Sequence, residues 1–374
     1  MKWRDGKLSD VIMLKRGHDL PSRLRQSGDI PVVSSSGITG YHNVAKATAP
    51  GVVTGRYGTL GEVFYVEQDY WPLNTALYVV DFKNTNPRFA AYFLRHILRD
   101  YKSDKAAVPG VDRNVLHEFK VRVPDRGIQN NIAEILTAYD DLIENNRRRM
   151  ELLEESARLM YREWFVRLRF PGHEHTPITN DIPEGWEKVP TPEAIEINPR
   201  TKLSGEDEHW FVEMGELPIN SMVIQSPYER DGRGGSKFKN GDTLFARITP
   251  CLENGKTGYV QFMGDGEVGR GSTEFIVLRS HRVTPEFVYC LSRTYAFRGN
   301  AIKSMIGSSG RQRVQESCFE KFMVWVPTNA ILIAFSENVE PLFRQIKVLH
   351  EQNQKLREAR DLLLPRLMNG EIAT

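Results

Sequence analysis

Between Ile128 and Phe165 the chain reads IQNNIAEILTAYDDLIENNRRRMELLEESARLMYREWF, and its apolar residues recur at alternating steps of four and three. Recurrence every seven residues over about five heptads is the pattern of a helix packed along a partner helix. Pro124 precedes the segment and Pro171 follows it, so both limits of the helix are marked. The sequence therefore predicts a long coiled-coil helix, with Asn146 as a polar residue in its apolar seam.

The end of the chain repeats this pattern, with Asn353 as the polar residue of the seam. Adding 203 to the residue number carries Pro124 to Pro327 and Ile132 to Phe335 without a gap. The predicted helix-pairing residues are Ile132, Leu136, Ile143, Met150, Leu153 and Met160 in the first helix, and Phe335, Val339, Leu342, Ile346, Leu349, Leu356 and Leu363 in the second. A period near 200 residues is far longer than a solenoid repeat, so we interpret the chain as an internal duplication.

The segments that precede the two helices agree more loosely. Thr75–Val80 resembles Thr273–Leu278, and Gly110 resembles Gly310 in its position ahead of the proline. The predicted organisation is a first block at 1–124, a first helix at 125–170, a second block at 171–327 and a second helix at 328–374.

Each block is predicted to mix strands and helices. Short β-branched and aromatic runs, such as Gly51–Thr54 and Val63–Val66, are separated by glycine turns, which is typical of strands. One amphipathic helix is predicted in each block, from Arg88 to Tyr101 and from Thr284 to Lys303. The fold class is therefore α+β, with two α/β domains and two long helices.

Charge is distributed unevenly along the 374 residues, although 50 Lys and Arg nearly balance 48 Asp and Glu. Residues 1–124 hold 18 basic and 12 acidic side chains, residues 171–228 hold 3 and 11, and residues 229–321 hold 15 and 10. Two separate basic regions indicate binding of a polyanion, and a solvated mixed surface is the alternative.

Several classes of protein are disfavoured by the sequence. No apolar run approaches the roughly 18–20 residues that a membrane span needs, and Asp5 and Asp10 stand where a signal peptide is apolar. We therefore expect a cytoplasmic protein without membrane contact. The cysteines Cys251, Cys290 and Cys318 fit neither a disulfide framework nor a zinc site.

No convincing catalytic or metal site is found. Gly255-Lys256-Thr257 ends like a phosphate-binding loop, but Pro250 stands where that motif needs its first glycine. Asn198-Pro199-Arg200 lacks the second proline and the aromatic residue of an adenine-methyltransferase motif. His173 and His175 have no further ligand cluster and are more simply solvated. We predict no catalytic residue and no bound metal.

Glycine, small hydroxyl residues and arginine coincide in several loops. Arginine and hydroxyl groups pair with phosphate oxygens and guanine edges, and glycine lets the backbone approach a groove. Tight turns with exposed arginines are the alternative for any one loop. The candidates for DNA contact are Ser34, Ser35, Thr39, Tyr41, Arg56, Tyr57 and Arg113 in the first block, and Arg233, Lys237, Arg247, Arg270, Ser308, Arg311 and Arg313 in the second.

These motifs and their order support a family resemblance. Thr54-Gly55-Arg56 lies in a glycine-flanked strand pair, and Ala246-Arg247-Ile248 takes the corresponding place in the second block. Val123-Pro124 is followed by Gln129, whereas the second junction keeps Val326-Pro327 but has Leu332 in place of that glutamine. With the tail Leu363–Ile372, the chain resembles the specificity subunit of type I restriction-modification enzymes over essentially its whole length.

The resemblance implies a non-catalytic DNA reader in a host-defence restriction system. Two target-recognition domains, at 1–124 and 171–327, would each bind half of a bipartite DNA target. The helices at 125–170 and 328–374 would pair as antiparallel coiled coils related by a pseudo-twofold duplication and hold the domains a fixed distance apart.

The same resemblance implies partner chains. Two methyltransferase (modification) subunits would methylate adenine with S-adenosylmethionine, and two restriction (motor-nuclease) subunits would use ATP and Mg. No cofactor is expected in this chain. Two alternatives stay open: a specificity chain or fragment of a single-chain restriction-methylation enzyme, and a coiled-coil scaffold that does not bind DNA.

Overall fold

A computed structural model describes residues 3–56, 61–99, 110–203, 208–308 and 310–374. The chain divides into two compact units, Met1–Glu144 with Gln354–Thr374, and Asn145–Asn353. Each unit contains one α/β block and part of each long helix, so the helices are integral to both units.

The first unit contains three sheets. Its strands are β1 (Trp3–Lys7), β2 (Met13–Arg16), β3 (Ile30–Ser34), β4 (Gly37–His42), β5 (Gly51–Gly55), β6 (Val63–Val66), β7 (Trp71–Pro72), β8 (Ala76–Asp81) and β9 (Lys120–Pro124), and its own helices are α1 (Pro87–Leu98) and α2 (Arg113–His117). Strand β1 pairs with β9, four antiparallel strands are ordered β2-β8-β5-β6, and three strands are ordered β4-β3-β7, in which β3 and β7 are parallel.

Helix α1 covers strands β5 and β6. Asn86 starts the helix, because its side chain accepts hydrogen bonds from the N–H groups of Arg88 and Phe89 at 2.9 and 3.1 Å. Phe89 and Leu94 are fully buried against the sheet, and burial of such side chains stabilises the fold by about 1.5–3 kcal/mol each. The predicted helix is confirmed near its start, and its predicted end at Tyr101 lies outside the described residues.

The second unit repeats this plan with additional short strands. Its strands are β10 (Ile178–Thr179), β11 (Ile182–Pro183), β12 (Glu187–Pro190), β13 (Ile195–Ile197), β14 (His209–Val212), β15 (Tyr228–Arg230), β16 (Ser236–Phe238), β17 (Thr243–Ala246), β18 (Thr257–Tyr259), β19 (Gly269–Gly271), β20 (Phe275–Ser280) and β21 (Met323–Val326). Its own helices are α4 (Thr191–Ala194), α5 (Pro285–Ser292) and α6 (Tyr295–Lys303).

The sheets of the two units correspond. Pair β12·β21 matches β1·β9, the antiparallel sheet β13-β20-β17-β18 matches β2-β8-β5-β6, and the sheet β15-β14-β19-β16 contains the parallel pair β14·β19 in the place of β3·β7. The α+β fold and the internal duplication predicted from the sequence are therefore present. The single helix predicted from Thr284 to Lys303 is wrong, because the structure has two helices there. Thr294 starts the second one by accepting a hydrogen bond from the N–H of Phe297 at 3.2 Å.

Two long helices follow the blocks, α3 (Arg126–Tyr161), which continues into a π-helical turn at Arg162–Val166, and α7 (Asn329–Met368). Within the second unit, Asn146 near the start of that unit's part of α3 contacts Asn353 late in α7, and Tyr161 late in α3 contacts Phe335 early in α7. The two helices are therefore antiparallel.

The predicted helix-pairing residues divide into two sets by burial. Ile132, Leu136, Phe335, Val339, Ile346 and Leu349 are buried, and Ile143, Met150, Leu153, Met160, Leu342, Leu356 and Leu363 are partly buried. None of the described helices has an apolar stretch long enough to cross a membrane.

Candidate nucleic-acid interface

Arg56 follows directly after β5, and its backbone joins three segments of the first unit. Its N–H donates to the carbonyl of Thr75 at 2.9 Å, and its carbonyl accepts from the N–H of Val111 at 2.9 Å. The arginine is therefore held at the end of the central strands, beside the segment that leads into α2.

Arg247 occupies the same backbone position in the second unit. It follows β17, its N–H donates to the carbonyl of Glu274 at 3.0 Å, and its carbonyl accepts from the N–H of Val314 at 2.9 Å. The correspondence between Arg56 and Arg247 that the sequence motifs predict is therefore confirmed by their hydrogen bonds.

These hydrogen bonds also correct two residue pairings made from the sequence. Thr75 corresponds to Glu274, one residue away from the predicted Thr273. Val111 corresponds to Val314, so Gly110 corresponds to Arg313 and not to Gly310. The offset of 203 thus extends back from the helices to residue 110, because loops of different length lie only upstream of it.

In the first unit, Arg56 and Arg113 border one cavity of about 320 Å³, together with Arg16 at the end of β2. The side chain of Asp112 accepts a hydrogen bond from the N–H of Asn114 at 2.9 Å and starts α2. Sequence reasoning missed Arg16, since only strand pairing brings it to Leu77 and the cavity. Tyr57, another predicted contact residue, lies outside the described residues.

In the second unit, the loops that carry Arg247 and Arg313 are joined. Ile248 forms a bridge with Arg313, and Thr249 Oγ1 accepts from the N–H of Gln312 at 3.0 Å. Ser308 and Arg311 are exposed in the same segment. The structure thus brings together four of the predicted contact residues of this unit.

Arg247 and Arg313 each have a carboxylate partner. Arg247 Nη1 lies 3.3 Å from Glu316 Oε1, and Arg313 Nη2 lies 2.6 Å from Glu274 Oε1. The Arg313 Nε also donates to both carboxylate oxygens of Glu274 at 3.0 Å. Hydrogen bonding to Glu274 raises the pKa of Arg313 above its ordinary value.

Lys237 and Arg270 lie opposite each other on β16 and β19, in a different sheet from Arg247. Arg270 is buried, stacks 4.7 Å from the centre of the Phe211 ring, and donates to the carbonyls of Arg230 and Asp231. Its guanidinium therefore holds the loop after β15 in place. The Lys237 ammonium donates to the carbonyl of Gly235 at 3.0 Å, and Arg233 is exposed in that loop.

The remaining predicted residues form the β3–β4 hairpin of the first unit. Ser34 is buried, and its hydroxyl accepts from the N–H of Ser36 at 3.1 Å, so it shapes the turn. Ser35 is half-buried, whereas Thr39 and Tyr41 are exposed on β4. Gly37, with φ of +94°, allows the turn between the two strands.

Among the described residues, no group of three or more His, Cys, Asp or Glu side chains is arranged to hold a metal ion. His173 Nδ1 instead lies 2.8 Å from the carbonyl of Phe170. What the described arginine loops offer is hydrogen-bond donors at corresponding places in two related folds.

The chain is similar to proteins of known family. Residues 1–155 match the family described as Type I restriction modification DNA specificity domain. The chain is 24% identical over 285 residues to the type I restriction enzyme MjaIX specificity subunit of Methanocaldococcus jannaschii, over 72% of this chain and 64% of that protein. It is 29% identical over 159 residues to the type I restriction enzyme EcoEI specificity subunit of Escherichia coli, over 40% of this chain and 26% of that protein.

The matched regions thus span less than two thirds of the length of these curated relatives. Among solved structures, a type I restriction-modification system S subunit from M. genitalium is similar with a TM-score of 0.61 and 14% identity, over 98% of this chain and 96% of that chain. That likeness shows a shared fold. The family resemblance and the α+β fold class inferred from the sequence are confirmed.

Proposed function

Because residues 1–155 carry a type I restriction modification DNA specificity domain, we propose that this chain is the non-catalytic specificity subunit of a type I restriction-modification complex. In this proposal each unit binds one half of a bipartite double-stranded DNA target. The chain selects the DNA sequence, and partner subunits carry out the chemistry.

The observation that carries the proposal is the repeated placement of one arginine. Arg56 and Arg247 have corresponding backbone partners, and the antiparallel sheets that they follow have the same strand order. Arginine presents a planar fork of donors that suits guanine edges and phosphates, so two such positions fit two separate contacts with one duplex. Further exposed candidates for DNA contact are Thr39 and Tyr41 in the first unit, and Arg233, Ser308 and Arg311 in the second.

The internal duplication also supports a scaffold role. A chain with two corresponding units presents two corresponding surfaces, to which two copies of one partner bind as they would to a symmetric dimer. We propose two methyltransferase subunits that methylate adenine with S-adenosylmethionine, and two restriction subunits that use ATP and Mg. The complex would act on DNA in the cytoplasm.

The proposal is tested by selecting bound duplexes from a random-sequence pool with the full chain and its methyltransferase subunit. We expect an enriched sequence in two short parts separated by an unspecified spacer. Arg56→Ala and Arg247→Ala should each weaken binding. The preference in one part of the sequence relaxes by about 1–3 kcal/mol if the arginine contacts a guanine edge, and affinity falls uniformly across sequences if it contacts a phosphate. Enrichment of a single continuous sequence, or of none, would contradict the proposal.

Two controls address the alternative functions. Incubating the chain alone with labelled S-adenosylmethionine and unmethylated DNA should give no methyl transfer, and incorporation above background would favour a single-chain enzyme. DNA affinity of the complex should fall steeply with salt. Absence of DNA affinity at low salt would favour a scaffold that binds only protein.

A further inference from the structure

The surroundings of the two corresponding arginines differ in charge. Around Arg56 the corresponding positions hold Thr75, Gly110 and Arg113, and around Arg247 they hold Glu274, Arg313 and Glu316. Together with Arg56 the first set contains two arginines and no carboxylate, and together with Arg247 the second contains two arginines and two carboxylates. The backbone is therefore shared between the units, while the charge at these four positions is not.

In the second unit the two guanidiniums are ion-paired within the protein. Glu316 lies beside Arg247, and Glu274 is bound by Arg313 through both Nε and Nη2. A phosphate that approached either arginine would also approach a carboxylate, so the gain in attraction would be small. A neutral acceptor such as the edge of a base meets no such repulsion, and the ion pairs restrict the orientation of the donors.

In the first unit the described residues of the same region include three arginines and one carboxylate. Arg16, Arg56 and Arg113 border the cavity of about 320 Å³, and among its described lining residues the one carboxylate is Asp112. That carboxylate accepts the N–H of Asn114 at the start of α2. Three guanidiniums around one concave space are suited to an anion with several oxygens, such as a phosphate of the DNA backbone.

We propose that the two units use their corresponding arginines for different tasks. Arg56, with Arg16 and Arg113, binds backbone phosphate and supplies affinity, whereas Arg247, positioned by Glu316, contacts base edges and supplies sequence discrimination. This inference rests on the proposed function, since it assigns a kind of DNA contact to each unit.

Salt dependence separates the two kinds of contact. Affinity falls as salt rises, and removing one phosphate-binding side chain makes the plot of log affinity against log salt less steep by about 0.9. Removing a base-reading side chain leaves the steepness unchanged and relaxes the preferred sequence. The probe is a random-sequence duplex, with the affinity of the full chain measured by fluorescence anisotropy between about 50 and 200 mM KCl. We expect Arg56→Ala to make this plot less steep by about one and Arg247→Ala to leave its steepness unchanged.

The sharpest test exchanges charge at one pair of corresponding positions, Arg113 in the first unit and Glu316 in the second. Arg113→Glu introduces into the first unit the carboxylate of the second, and Glu316→Arg introduces into the second unit the arginine of the first. We expect Arg113→Glu to make the salt dependence of affinity less steep and Glu316→Arg to make it steeper. Matched reversals on the exposed surface of the long helices, Arg126→Glu and Glu337→Arg, control for net charge.

The outcomes distinguish this inference from the proposed function. Equal slope changes for Arg56→Ala and Arg247→Ala, or a Glu316→Arg slope that matches its Glu337→Arg control, would overturn the inference even if the wild-type complex still selects a bipartite sequence. If the wild-type complex shows no sequence preference, the proposed function itself is contradicted. Arg113→Gln, which removes charge without adding a carboxylate, replaces Arg113→Glu if the thermal unfolding midpoint shows that the latter misfolds, and its slope is judged against the same expectation.

Discussion

Asn146 of α3 and Asn353 of α7 face each other within the second unit, with the Asn146 Nδ2 donating to the Asn353 Oδ1 at 3.1 Å. Both side chains are almost completely buried in a seam that is otherwise mostly apolar. An apolar seam alone tolerates several alignments of two helices, whereas a buried amide pair is satisfied in one alignment. We infer that this pair selects the antiparallel register of the helices.

Replacing one member of the pair should cost more than replacing both. Asn353→Leu leaves the buried amide of Asn146 without this partner, and we expect the free energy of unfolding to fall by about 1–3 kcal/mol. The double replacement with leucine should restore most of the loss, because neither buried amide of the pair remains. Urea denaturation of the four proteins measures this coupling, and Asn145→Leu at the exposed neighbouring position is the control. Additive effects of the two replacements would show that the pair does not act as a unit.

Glu154 links α3 to the second block and is expected to make stability depend on pH. It is buried and accepts the hydroxyl of Tyr289 at 2.6 Å and the N–H of Met222 at 2.7 Å. Burial raises the pKa of Glu154 above its ordinary value. The folded protein therefore retains a proton that the unfolded chain has lost, so this contribution to stability falls as pH rises from about 4.3 through the raised pKa.

Glu154→Gln should remove that dependence. The stability of the variant relative to wild type should increase as pH rises from about 4.3 towards neutrality, because the glutamine does not ionise. Thermal unfolding midpoints across this range measure the difference, with Glu155→Gln at the exposed neighbouring position as the control. A difference between variant and wild type that is constant with pH would contradict the expected titration.

Asp140 has a comparable linking role in the first unit. One carboxylate oxygen accepts the hydroxyl of Tyr92 at 2.6 Å and the other lies 2.5 Å from Arg360 Nη1. Asp140→Ala should lower the free energy of unfolding by about 1–3 kcal/mol, since it leaves a half-buried guanidinium and a buried hydroxyl without this acceptor. Asp141→Ala, on the exposed side of the helix, should change it by less than about 0.5 kcal/mol. Equal effects of the two replacements, measured by urea denaturation, would exclude the proposed link.

Helix length is expected to set the spacer of the DNA target. Four residues inserted between Glu144 and Asn145 and four between Asn353 and Gln354 add about 6 Å to each helix, close to two base pairs at about 3.4 Å each. A four-residue insertion is accommodated in a coiled coil by local unwinding, and matched insertions keep the two helices equal in length. Methylation mapped with the partner subunits should show the same two half-sites with a spacer longer by one or two base pairs. An active variant that methylates the original spacing would contradict the expectation.

The sequence by itself determined the long helices and the duplication, because both depend on local pattern. A seven-residue period places the apolar residues on one face of a helix, whatever the path of the rest of the chain. The burial of Ile132 and Phe335 therefore followed from spacing alone. The shared offset of 203 was visible because the helices contain no insertions. The arginine motif was also visible, so Arg56 and Arg247 were matched correctly.

Only the tertiary structure decided which residues surround those arginines. Strand register depends on partners far away in the chain, and a shift of one residue exchanges the two faces of a strand. The correspondence of Thr75 with Glu274, where Thr273 was predicted, is visible only from the hydrogen bonds that each makes with its arginine. Arg16 reaches the cavity of Arg56 and Arg113 only through the pairing of β2 with β8. The charge of each arginine's surroundings follows from these long-range pairings, which no local period in the sequence encodes.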